Sequence, residues 1–148
     1  MIKFELLKDA GLLVVEPTGA LAAEDFRAIS QTVDPYIAEN GKLTGLLIVA
    51  PSFPGWESFS ALVAHMKFVR EHHQKIDRVA VVTDSKILAI APMIAEHLAH
   101  PEFKVFDGRE RASALTRSAV MFFDKLSYDL VLLVLIKRDD VFGQIDGS

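Results

Sequence analysis

The sequence contains no cysteine, which excludes a disulfide framework, a thiolate metal site and a cysteine nucleophile together and fits a reducing compartment. It has no basic run longer than two residues, and 16 Lys and Arg stand against 20 Asp and Glu for a net charge of −4. A phosphate-backbone binder needs the opposite balance, so no nucleic-acid partner is expected. The glycine-rich phosphate loops G-x-G-x-x-G and G-x-x-x-x-G-K-[ST] are absent, as is the G-x-S-x-G nucleophile turn, which argues against nucleotide cofactors and α/β-hydrolase chemistry. Long apolar runs are missing too: Leu130 to Ile136 spans about seven residues where a membrane span needs about 20. The start, Met1-Ile2-Lys3-Phe4-Glu5, alternates charge with apolar residues and has no signal-peptide core, so a cytoplasmic location is expected.

What is present is apolar matter. In 148 residues, 51% are hydrophobic and 24% charged, enough to bury one core and to exclude disorder. Ile2, Phe4 and Leu6 alternate with polar residues, and Leu12-Leu13-Val14-Val15 follows across Lys8 to Gly11, a strand pair joined by a polar turn. Glu24 and Asp25 stand where a first helical turn favours carboxylates, and Phe26, Ile29, Val33 and Ile37 form one stripe. Pro35 inside that stretch predicts a kink, or a restart capped by Asp34. Leu43 to Ala50 and Val79 to Val82 read as strands covered on both faces. Between them a helix from Trp56 to about His73 is expected to bury Phe59, Leu62, Val63, Met66 and Val69. A helix through about Ala99, the strand Phe103 to Phe106 and a helix from Asp107-Gly108 to about Ser118 complete a ββαβαβαβα order, a mostly parallel mixed sheet packed with helices. Residues 1–118 form the domain of this reading, and 119–148 a C-terminal extension. The extension holds Val120 to Phe123 and Leu130 to Ile136 and is expected to supply a further buried strand or helix, or a dimer contact.

Few residues point to chemistry. His97 and His100 have one-turn spacing near a helix end, and His65, His72 and His73 lie on the preceding helix; their expected role is solvated, helix-terminal. The carboxylates Glu24, Asp25, Glu57, Asp77, Asp84 and Asp107 sit at expected caps and first turns. No metal, no cofactor and no catalytic residue is therefore expected. Two features stand out instead. Pro51-Ser52-Phe53-Pro54-Gly55-Trp56 puts two aromatics at the carboxyl end of a central strand, where open α/β sheets place ligands; the aromatics either top the core or cover a ligand or membrane surface. Lys86 to Ala99 is apolar around most of a helix, through Ile87, Leu88, Ile90, Met93, Ile94 and Leu98, with Pro92 as a bend; such a helix packs on two sides, binds something apolar or touches membrane.

The stretch Phe53-Pro54-Gly55-Trp56 with its following helix, Asp77 to Asp84, Glu24-Asp25-Phe26 and Val105-Phe106 with Asp107 to Arg117 resembles the SpoIIAA-like (STAS/SEC14 domain-containing) family over about residues 1–118. The resemblance implies a STAS-like α/β sandwich, kin to anti-sigma-factor antagonists and to lipid-carrying CRAL-TRIO domains, with no established catalysis. Sporulation-type antagonists carry a phosphorylatable Ser or Thr in an Asp-[Ser/Thr]-Ser-Gly-like turn, and Ala50 to Trp56 lacks it, which argues against a phospho-switch. The preferred expectation is a non-catalytic module for a small apolar or lipid-like ligand or a membrane surface. Phe53 and Trp56 act as its lid, Phe59, Val63, Met66, Ile90 and Ile94 line the cleft, Met93 fills it, and Lys86 meets an anionic head group. A peripheral contact at the inner membrane face belongs to that reading. The alternative is a protein-interaction module, an antagonist-like regulator or a homodimer.

Overall fold

The protein is described from a computed structural model at residues 1–84, 101–124 and 128–136. In chain order these form β1 (Ile2–Leu7), β2 (Leu12–Pro17), α1 (Ala23–Asn40), β3 (Leu43–Val49), α2 (Phe59–His72), a 3-10 turn (His73–Lys75), β4 (Ile76–Thr83), β5 (Glu102–Asp107), α3 (Ala112–Phe123) and α4 (Tyr128–Ile136). The strands stand in the order β1-β2-β3-β4-β5. β1 is antiparallel to β2 and every later pair is parallel, as expected when a short turn joins the first two strands and long crossovers join the others. Gly11 makes that turn at φ +65, a left-handed conformation that glycine adopts without strain.

Alternation along the strands sorts their side chains onto two covered faces. On the first, Leu13, Val15, Leu46, Val79 and Val81 meet Ile29, Val33 and Ile37 of α1, with Phe68 of α2 alongside. On the second, Leu12, Leu47, Val49, Ala80, Val82 and Phe106 meet Leu115, Ala119 and Phe123 of α3 and Val131 and Leu135 of α4. Burial on both faces explains the near-continuous apolar run of β3.

α1 buries Phe26, Ile29, Val33 and Ile37, the stripe that the spacing predicts. Its start is held by the Asp25 carboxylate, which accepts from the Ala22 N–H at 2.8 Å and from the Ile2 N–H at 3.2 Å, capping the helix and pinning β1 at once. The helix neither restarts nor ends at Pro35. Proline orphans the carbonyl of Gln31, and both residues lie on the exposed side, where the missing bond costs less than it would in the core. Asp34 is not a cap; its carboxylate accepts a hydrogen bond from His72. Gly41, at φ +89, ends the helix with its N–H on the Ile37 carbonyl.

Other boundaries differ from expectation for local reasons. α2 starts at Phe59, not Trp56, because Ser58 is its N-cap and accepts from the Ala61 N–H at 3.2 Å. α3 starts at Ala112, not Asp107, because the Asp107 carboxylate takes the backbone N–H of Arg109 at 2.9 Å and its guanidinium at 3.0 and 2.8 Å, closing a turn first. These bonds hold the Asp107 carboxyl below the usual carboxylate range. α3 runs on through residue 118 to Phe123, and Leu130 to Ile136 lies within α4; as between strand and helix, these parts of the extension are helical. The expected helix with Lys86, Ile90, Met93 and Ile94 lies outside the described residues. Among the described residues no helix is long and apolar enough to cross a membrane.

Candidate functional site

α2 determines where the molecule is hollow. Its expected inward stripe included Phe59, Val63 and Met66, yet these side chains are 78%, 50% and 50% exposed, and the residues α2 buries are Ala61 and His72. The stripe that turns inward is Ala61, His65, Phe68 and His72, at helical spacing; a small residue and two histidines replace aliphatic chains along it. Such a face does not fill the space between helix and sheet as leucine would.

A cavity of about 610 Å³ lies there. Its floor is Leu13, Val15, Leu46, Ile48, Val79 and Val81 of the sheet, its walls include Phe26 and Ile29 of α1 and His65, Met66, Phe68 and Val69 of α2, and Phe53, Pro54 and Trp56 bound it at the β3–α2 loop. The loop is fixed from below. Gly55, at φ +81, turns the chain so that its carbonyl accepts from the Leu21 N–H at 2.8 Å while the Glu57 N–H donates to the Leu21 carbonyl at 2.8 Å. Phe53 and Trp56, 48% and 38% exposed, meet edge to face at 4.8 Å, a favoured aromatic geometry.

Two histidines carry the polar contacts at this site. The Trp56 Nε1–H donates to His65 Nδ1 at 3.1 Å, and the His65 ring stacks on Phe26 with centroids 4.7 Å apart and planes 13° from parallel. Burial pushes His65 below its ordinary value, because the charged ring loses its water. His72 is 3% exposed. Its Nδ1 lies 2.8 Å from the Phe68 carbonyl and its Nε2 2.7 Å from the Asp34 carboxylate, so it ties α2 to α1.

Of the expected site residues, Phe53, Trp56 and Met66 are in this lining, whereas Phe59 and Val63 are not among its residues. Lys86, Ile90, Met93 and Ile94 lie outside the described residues. Phe26, His65, Phe68 and His72 were not anticipated there. A signal for the histidines did exist: His65 and His72 are seven residues apart and share a face with Phe68. They are not the solvated helix-end groups that their sequence context implies, since both are held by aromatic rings and hydrogen bonds. None of the described lining residues is Asp, Glu, Lys or Arg. No three His, Asp or Glu side chains gather to hold a metal ion among the described residues.

The SpoIIAA-like family model matches residues 12–116, from β2 into the first turns of α3. An uncharacterized protein from Shewanella loihica, whose crystal structure has a SpoIIAA-like fold, is similar to this chain with a TM-score of 0.56 and 22% identity, over 72% of this chain and 84% of that one. At that identity the likeness is one of fold. No curated protein matches the sequence.

Proposed function

The chain belongs to the SpoIIAA-like family, and on that scaffold we propose a non-catalytic binding module whose ligand is a small apolar or lipid-like molecule held between α2 and the sheet. The observation that carries this reading is the 610 Å³ cavity with apolar floor and aromatic edge. Ligand sites commonly fall in the range of about 300–1,000 Å³ and are mostly apolar with few polar groups. Filling the cavity takes apolar surface out of water on both partners, worth roughly 25 cal/mol per Å² before the cost of association.

Trp56 is the single tryptophan, so its fluorescence reports on the site without a label. Titration with the neutral probe 1-aminoanthracene is expected to quench Trp56 saturably at one site, and native mass spectrometry to show the matching adduct. No quenching and no adduct would sink the proposal. The second reading, a protein-interaction or dimerisation module, draws on the exposed Phe59, Val63 and Met66. It requires an oligomer by light scattering at micromolar concentration, whereas a monomer that binds the probe favours the cavity. Flotation with phosphatidylglycerol vesicles tests the membrane form of the first reading.

A further inference from the structure

We infer that the molecule this cavity takes is uncharged and carries an acceptor oxygen, a ketone or ester carbonyl, which binds the Nε2–H of His65 beside Trp56. This rests on the apolar-ligand reading and adds the one polar group that the ligand must present.

An indole N–H donates and never accepts. Since Trp56 Nε1 lies 3.1 Å from His65 Nδ1, Nδ1 is the bare nitrogen and the hydrogen sits on Nε2. Phe26 covers a face of the ring, and Nε2–H has no hydrogen-bond partner among the described residues. The other histidines near the chamber are engaged: both nitrogens of His72 are taken by Phe68 and Asp34, and His73 has an interaction of its own. His65 therefore offers a free imidazole donor in a lining whose other described side chains, apart from Trp56, His72 and His73, are apolar. A ligand that fills the chamber displaces the water that would solvate this N–H. A hydrocarbon leaves it unpaired, while a carbonyl pairs it. A carboxylate would meet no Lys or Arg among the described lining residues, so none of those residues offsets the desolvation of its charge. The lowered proton affinity of the buried His65 ring works the same way, since the neutral ring is a donor and not a cation.

The test uses the full chain with octane, 2-octanone and octanoate, read by Trp56 fluorescence and native mass spectrometry. His65→Phe keeps a ring to stack on Phe26 and removes the donor. It is expected to weaken 2-octanone about tenfold and octane less than twofold, and His65→Gln, which supplies both an acceptor for Trp56 and a donor, restores most of the ketone affinity. In the wild-type chain the carbonyl stretch of bound 2-octanone is expected at lower wavenumber than in dry hexane. This measurement needs no variant and decides the matter if His65→Phe loses its fold, which its circular dichroism spectrum and thermal transition would reveal. An unshifted band, equal loss of octane and ketone in a folded variant, or tighter binding of octanoate than of 2-octanone overturns the inference and leaves the apolar cavity standing. Binding of none of the three to the wild-type chain overturns both.

Discussion

Gly45 occupies the middle of β3, and a Cβ built on it would stand 2.5 Å from Cε1 and 2.7 Å from Cδ1 of Phe123. Neither atom can move far, because Phe123 is 1% exposed and packed under the sheet. Gly45→Ala should therefore destabilise by about 1–3 kcal/mol, the cost of overpacking a filled core, seen as a lower urea midpoint at unchanged slope. His65 gives a pH prediction. Its folded value lies below the unfolded one, so the folded chain binds fewer protons at this site. The contribution to stability is full above about pH 6.5, the unfolded value, and is lost as pH falls through the folded value. Protonation also removes the acceptor for Trp56. Acidification should shift Trp56 emission to the red and lower the urea midpoint, and His65→Gln should flatten the His65 part of both profiles; a wild-type profile superimposable on that of His65→Gln would contradict this. At this scale the sequence is legible where residues are simply apolar, as in the four buried residues of α1. The fit of Gly45 against Phe123 joins residues 78 positions apart, and no local pattern announces it.

α2 is the element on which local pattern misleads. Hydrophobicity ranks Phe59 and Val63 above His65 and His72, and periodicity then turns the helix toward Phe59 and Val63, which are exposed, while Met66 and Val69 of the same stripe do line the cavity. His65 turns inward with Nδ1 accepting from Trp56, and His72 with its nitrogens facing the Phe68 carbonyl and Asp34, contacts that offset part of the cost of burying them. The Asp34–His72 bond at 2.7 Å crosses from α1 to α2. Asp34→Ala leaves His72 Nε2 without that partner at a buried position, a loss of about 1 kcal/mol once the 59% exposure of the Asp34 side chain is allowed for. Faster amide exchange along α2 with little change along β3 and β4 is the expected signature; uniform acceleration would show that the bond is not specific to the α1–α2 seam. The opposite case is α1, whose first-turn carboxylates and apolar stripe lie within one continuous segment and were readable for that reason.

For the whole molecule, the family-matched segment and the folded unit do not end together. The match stops at residue 116, inside α3, whereas the second face of the sheet is covered by Ala119 and Phe123 from the rest of that helix and by Val131 and Leu135 from α4. All four are 1% exposed or less. The succession of the described strands and helices, and the mostly parallel sheet, were legible because alternation and crossover length dictate them. Which layer the apolar end of the chain joins depends on a pairing of distant faces that periodicity does not encode. Truncation after Ser118 tests the consequence. It strips Phe123, Val131 and Leu135 from over Leu12, Leu47, Ala80 and Val82, at about 1.5–3 kcal/mol for each large side chain against a usual total of about 5–15 kcal/mol. The shortened chain should lose cooperative unfolding and associate through the bared strand face, read as a lost thermal transition by circular dichroism and a raised mass by light scattering. A truncated chain that stays monomeric and unfolds cooperatively near the wild-type temperature would mean that α4 and the end of α3 contribute little to the core, and that the segment matched by the family suffices as a folding unit.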